Sequence, residues 1–111
     1  MAHAALVTEA IETIWNNAEL DRIGEFYSED FVSHQPDTGP RWDPGHEGLR
    51  RLITGLKWIY PDYHESIQDV VAEGDRVVLR LMNTGTLRRD PGDTESEPKS
   101  FKVADFMLVR I

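Results

Sequence analysis

The stretch from residue 63 to residue 85 constrains the fold more than any other part of the chain. Two runs rich in β-branched residues flank a Glu-Gly-Asp connection at 73–75, whose glycine can adopt a positive φ and reverse the chain. In the second run, Val77, Leu79 and Leu81 recur at every second position, which is the period of a strand. The sequence therefore predicts a long antiparallel hairpin, with the preceding helices covering one of its faces.

Apolar residues at three- and four-residue spacing predict three helices before this hairpin. The first covers residues 7–15, and a short second helix lies within residues 20–27. The third runs over 48–60 and is stopped by Pro61, which cannot donate a backbone hydrogen bond. Two interpretations stay open for three aromatic side chains in this part of the chain, core packing or the wall of a ligand cavity: Trp15, Phe26 and Tyr27.

The predicted last strand sets an acidic residue in an apolar row. One of its faces carries Phe101, Val103, Asp105, Met107, Val109 and Ile111. A carboxylate without partners in an apolar environment has a raised pKa and suits acid/base catalysis. We therefore expect Asp105 to be buried and poorly hydrated. The alternative is a structural carboxylate bonded to a helix end or to an arginine such as Arg80.

Composition limits the class of protein. A chain of 111 residues is predicted to form one domain, and its 20 acidic against 12 basic residues give a net charge of −8. That charge disfavours nucleic acid and anionic membrane surfaces as partners. The chain has no cysteine, and its four histidines lack metal-ligand spacing. We therefore expect no metal and no cofactor. With no apolar run of membrane length and no signal pattern, we also expect a cytoplasmic protein.

Sequence strings along the whole chain match one known family. They are the hairpin sequence from Pro61 to Thr86, the pairs at 15–16 and 20–21, the segment 31–34, and Pro44-Gly45. With these strings the chain resembles the SnoaL-like polyketide cyclases of the nuclear transport factor two-like superfamily. The resemblance implies an α+β cone, in which about three helices pack in the concave face of a curved, mostly antiparallel sheet. Relatives continue beyond the position of Ile111, so we expect the domain 1–111 to lack the family's last strand and to cover the open edge as a homodimer.

The resemblance also implies a cofactor-free reaction on a carbonyl substrate. SnoaL-like cyclases place an acid/base aspartate on the strand that corresponds to the last predicted strand of this chain, where Asp105 stands, and use it in an aldol-type cyclisation. His34 is the second catalytic candidate, because relatives carry a histidine facing the cavity there. The predicted substrate-binding set consists of His64, Asn83, Trp15, Phe26, Tyr27 and Met107, although a solvent-side position for His64 stays open.

Two positions depart from the family pattern. Leu87 stands where relatives often have a histidine, and the loop 88–98 has no large apolar side chain with which to close over a ligand. Three functions therefore stay open: a cyclase or isomerase, a non-catalytic protein that binds an apolar small molecule, and a dimerisation module. A desolvated Asp105 beside an enclosed pocket favours the first of these.

Overall fold

A computed structural model describes residues 2–33, 43–88 and 99–111. Helix α1 (Ala2–Ala10) continues as a π-helical turn (Ile11–Asn16), a 3₁₀ turn (Leu20–Arg22) leads into α2 (Ile23–Phe26), and α3 spans Gly45–Ile59. The strands are β1 (His64–Glu73), β2 (Arg76–Thr86) and β3 (Ser100–Arg110). The predicted α+β fold, with helices on one face of a curved antiparallel sheet, is confirmed.

The described strands form one antiparallel sheet in the order β1–β2–β3, so β2 lies in the centre. The predicted hairpin joins β1 to β2, and Gly74 turns the chain with a φ of 59°. Val77, Leu79 and Leu81 of β2 are fully buried against the helices. The alternation read from the sequence therefore marks the core face of this strand.

Strand β1 contains a bulge that the sequence pattern does not predict. Ile67 pairs with Leu81, but the next paired residue of β1 is Asp69, so Gln68 is an extra residue. A bulge of this kind reverses the alternation of side chains along its strand. A single alternation of faces therefore does not hold along β1, and the residues on the core side of the sheet are Glu65, Ile67, Val70 and Ala72.

The core lies between the helices and the inner face of β1 and β2. Apolar side chains from α1, its π-helical turn and α3 form one core cluster with the buried residues of β2. Ile11, Ile14, Ile23, Leu49 and Ile53 are among the most deeply buried of them. No helix within residues 2–33 and 43–88 has the length and apolarity that a membrane span requires.

The opposite face of the sheet carries exposed apolar side chains. Val71, Val78 and Leu108 lie opposite one another across the three strands, and Phe106 is two residues from Leu108. Their exposed fractions are 64%, 40%, 64% and 70%, in that order. We call these four residues the outer apolar patch.

Some predicted boundaries differ from the structure. Helix α3 begins three residues earlier than expected, because Pro44 precedes it in an extended conformation and Gly45, with a φ of 78°, opens it. Residues 31–33, part of the matching segment 31–34, form no strand. His34 and almost all of the loop 88–98 lie outside the described residues.

Candidate functional site

Asp105 occupies the predicted face of β3 but not the predicted environment. It pairs with Leu81 and so faces the core side of the sheet, yet it is exposed to solvent. Its neighbour on that face, Val103, is also 48% exposed, because the described helices pack over β1 and β2. The expectation of a poorly hydrated Asp105 is therefore wrong for the described part of the chain.

The structural partner considered for Asp105 is wrong as well. Arg80 lies on the outer face, opposite Phe106, where its guanidinium contacts Asp69 Oδ2 at 2.6 Å. Instead, Asn83 Nδ2 donates a long hydrogen bond of 3.5 Å to Asp105 Oδ2. Asn83 was predicted as a substrate-binding residue, but it is only 7% exposed. It therefore contacts Asp105 from a buried position on the central strand β2.

The buried carboxylate on this face is Glu65 of β1, which is 3% exposed. Tyr63 Oη donates a hydrogen bond of 2.6 Å to Glu65 Oε2. Burial raises the pKa of Glu65 to about 7; the Tyr63 hydrogen bond opposes this, and the negative charge of Asp105 adds to it. The site thus pairs a desolvated carboxyl group with a hydrated one.

Glu65 is absent from the predicted site residues, although the sequence carries a signal for it. Glu65 lies between Tyr63 and Ile67 at every second position, as Asp105 lies between Val103 and Met107. In both strands, one acidic residue occupies a face that is otherwise apolar. The register confirms that Glu65 and Ile67 share the core face, where Glu65 is paired with Asn83.

The backbone at Glu65 is fixed by a side chain from the π-helical turn. Asn16 donates from Nδ2 to the Glu65 carbonyl at 2.9 Å and accepts from the Glu65 N–H at 2.7 Å. Lys57 of α3 joins the same region, donating to the carbonyls of Asn16 (2.9 Å) and Tyr63 (2.7 Å). Burial lowers the pKa of Lys57, and the negative charge of Glu65 opposes that shift.

The remaining predicted residues fall in three places. Trp15 is 3% exposed and donates from Nε1 to Tyr27 Oη at 3.0 Å, which makes this pair part of the core. Phe26 and Met107 are half-buried beside the same core. His64 is exposed on the outer face opposite Thr84, so the solvent-side alternative holds for it.

Metal ligands are not grouped in this site. Within residues 2–33, 43–88 and 99–111, no three His, Asp or Glu side chains are arranged to hold a metal ion. The chemical groups that the site offers are therefore two carboxyls, a tyrosine hydroxyl and an amide: Glu65, Asp105, Tyr63 and Asn83.

The fold is that of a small α+β domain of the nuclear transport factor two-like class. A profile of the SnoaL-like polyketide cyclase family matches residues 5–111. The chain belongs to this family, as its resemblance implied. None of the curated proteins compared with the chain matches it.

Solved structures agree with this fold. A candidate polyketide cyclase from Acidithiobacillus ferrooxidans superposes with a TM-score of 0.79 at 19% identity, over 100% of this chain and 80% of that one. IdmH, a candidate polyketide cyclase from Streptomyces antibioticus, gives 0.77 at 21%, over 100% and 84%. A candidate SnoaL-like polyketide cyclase from Shewanella putrefaciens gives 0.80 at 10%, over 100% and 80%. At these identities the likeness shows the fold alone.

Proposed function

We propose that this chain is a cofactor-free acid/base catalyst of the cyclase or isomerase class, acting on a carbonyl compound bound along β3. Asp105 is not desolvated by the described residues, so this function requires the bound ligand to supply the burial. One observation carries the proposal. Asp105 is a solvent-accessible carboxylate in the row of Val103 and Met107, and it lies on the core side of the sheet within reach of the Asn83 amide. A ligand can reach Asp105, whereas Glu65 is too deeply buried to touch one.

In the proposed cyclisation Asp105 removes a proton next to a carbonyl, and the resulting enolate carbon attacks a second carbonyl of the same molecule. The C=O bond that is attacked becomes an alkoxide, and the protonated Asp105 returns the proton to it. The apolar side chains beside Asp105 would hold the carbon skeleton and bring the reacting groups together. A bound apolar ligand would also displace water from Asp105, and loss of hydration strengthens a carboxylate as a base. His34, the second catalytic candidate, would donate a hydrogen bond to the oxyanion that develops in this reaction.

Exchange of substrate hydrogen for deuterium tests the proton transfer without knowledge of the natural substrate. Aromatic β-keto esters, incubated with the protein in D₂O, would exchange the hydrogen next to the carbonyl, and mass spectrometry measures the rate. Because a general base contributes about 10²–10⁴-fold, we expect Asp105→Asn to slow the protein-dependent exchange at least about 100-fold. The matched control, Asp21→Asn, removes an exposed carboxylate from the 3₁₀ turn and should leave the rate unchanged.

The outcome that contradicts this proposal is protein-dependent exchange that Asp105→Asn leaves intact. Circular dichroism and thermal unfolding would first establish that the variant is folded. Since Asp105 is exposed, its replacement by an isosteric amide should not disturb the core.

The hydration of Asp105 favours a second candidate, a non-catalytic protein that binds an apolar small molecule on the same face. Val103 and Met107 would then contact the ligand while Asp105 remained in water. Methyl resonances of these two residues would shift on titration with the keto esters, without deuterium exchange. That combination would favour the second function over the first.

Association into a homodimer is also part of the proposal. The outer apolar patch supports it, because a contiguous apolar surface of this kind is typical of an interaction site. Arg80 and Asp69, two of the charged residues that flank the patch, are paired with each other, so neither would enter the contact as an isolated charge. The dimerisation module remains the third function considered, and the cytoplasmic location remains a prediction.

A further inference from the structure

Two buried oxygens near Asp105 lack a donor. Glu65 Oε1 and Asn83 Oδ1 accept no hydrogen bond from any described residue. Both side chains are more than nine-tenths buried, and the two residues are direct partners across β1 and β2. Paired residues on one face have Cβ atoms about 4.5–5.5 Å apart, within reach of a side-chain hydrogen bond.

An ionised Glu65 would leave this pair with two acceptors and no hydrogen between them. A buried acceptor without a donor keeps the full cost of its lost hydration, and this cost is larger when the acceptor is charged. One proton on Glu65 Oε1 removes both deficits, because the O–H then donates to Asn83 Oδ1. Glu65 Oε2 still accepts from Tyr63, so every oxygen of the pair has a partner.

We propose that Glu65 is a positioning residue for Asp105. Glu65 is protonated on Oε1, and this O–H donates a hydrogen bond to Asn83 Oδ1, which holds the Asn83 amide with Nδ2 directed at Asp105. Hydrogen bonds then run across the three strands, from Tyr63 through Glu65 and Asn83 to Asp105. The role of Asp105 as acid/base rests on the proposed function, whereas the proton on Glu65 does not.

Turning the Asn83 amide over does not remove the need for a proton. Nδ2 would then donate to Glu65, but Oδ1 would face the Asp105 carboxylate, which is also an acceptor. The conflict moves from the buried side of Asn83 to the exposed side. Protonated Glu65 is the arrangement in which Asn83 donates to Asp105 and every buried oxygen is satisfied.

Charged and titratable groups on several elements act on Glu65. Asp105 of β3 favours its neutral form, and Lys57 of α3 favours the ionised form. Tyr63 stays neutral, because burial and the adjacent Glu65 raise its pKa. Tyr27, whose pKa burial also raises, contributes no charge. Since Lys57 donates its hydrogen bonds to backbone carbonyls, neither of which belongs to Glu65, it does not replace the missing donor.

Nuclear magnetic resonance of the whole chain can follow the proton directly. We expect the Glu65 carboxyl carbon to titrate near pH 7 and the Asn83 side-chain amide resonances to shift with the same midpoint. In Glu65→Gln, the new amide donates to Asn83 Oδ1 and its carbonyl accepts from Tyr63. The Asn83 resonances should therefore stay near their low-pH positions between pH 5 and 8.5.

Glu73→Gln is the matched control, since it makes the same change at the exposed end of β1 and should keep both titrations. A Glu65 carboxyl that titrates near its ordinary value of 4.5 would overturn the proposal. Asn83 resonances that ignore the Glu65 titration would do the same, and the wild-type protein alone decides both points. If Asp105→Asn retains deuterium exchange while the Asn83 amide resonances still follow the titration of Glu65, the proposed function fails and the Glu65–Asn83 pair stands.

Discussion

Glu65 and Asp105 face the same side of the sheet from two different strands, and their surroundings separate them chemically. Glu65 is enclosed by the helices and bonded to Tyr63, whereas Asp105 lies in solvent. Pairs of carboxyl groups with unequal environments are how enzymes keep one group protonated and the other ionised at the same pH. Asn83 stands between the two and is bonded to Asp105.

The raised pKa of Glu65 makes the stability of the fold depend on pH. Below its ordinary pKa of 4.5, Glu65 is protonated in the folded and the unfolded chain alike. Between 4.5 and about 7 only the folded chain holds the proton, so the free energy of unfolding falls as pH rises. At 1.36 kcal/mol per pH unit, the loss attributable to Glu65 is about 3 kcal/mol when pH 7 is passed.

Urea unfolding between pH 4.5 and 8 measures this dependence. Relative to wild type, Glu65→Gln should gain stability steadily as pH rises, because the amide has no proton to lose. Glu73→Gln should follow the wild-type curve. Parallel curves for wild type and Glu65→Gln would contradict the assigned burial effect.

At the scale of the element, the bulge in β1 decides which side chains reach the core. Ile67 and Val70 both face the helices although they are three residues apart. A regular strand would place one of them on each face. The extra residue, Gln68, is exposed and makes only a weak hydrogen bond to the Ser66 carbonyl, at 3.4 Å.

Removal of Gln68 should therefore damage the fold far more than removal of its side chain. Deletion restores one alternation and forces either the Ile67 half or the Val70 half of β1 to turn outward. The lost apolar burial should destabilise the protein by at least about 2 kcal/mol. Gln68→Ala keeps the extra backbone unit and should change stability by less than about 0.5 kcal/mol. Similar unfolding midpoints in urea for these two variants would argue against the bulge.

The strand faces could be predicted from the sequence, but the bulge in β1 and the burial of individual side chains could not. The core face of β2 and the face of Asp105 follow from local alternation, which needs only neighbouring residues. The bulge at Gln68 depends on pairing with β2, and so the sides of Glu65 and His64 were not fixed by the pattern. Burial of Asp105 was mispredicted, because an apolar row records the face of a strand and not what covers it.

At the scale of the whole molecule, one sheet face holds the core and the other presents the outer apolar patch. Phe106 and Leu108 are the most exposed large apolar residues of β3, at 70% and 64%. A net charge of −8 keeps copies of the chain apart unless a specific contact offsets the repulsion. A second copy seated on this patch would supply that contact.

Phe106→Glu should weaken the proposed dimer strongly. An unpaired carboxylate in an apolar interface costs several kcal/mol, which corresponds to an increase in Kd of at least about 100-fold. Sedimentation equilibrium over a range of protein concentrations measures the shift. Val32→Glu is the control, because Val32 is 53% exposed but lies outside the sheet. A wild-type chain that stays monomeric throughout would rule the dimer out.

Because the helices cover the sheet unevenly, its strands should differ in how readily they open locally. Among the described strands, β2 is held along both edges, while β3 is held along one edge and has solvent on much of both faces. Backbone amides of β3 should therefore exchange with deuterium from water sooner than those in the middle of β2, through local opening that leaves the helices in place. Asp105 lies on this readily exchanging strand, whose N-terminal end is held to the helical layer by the aromatic contacts of Phe101 with Tyr60 and Tyr63.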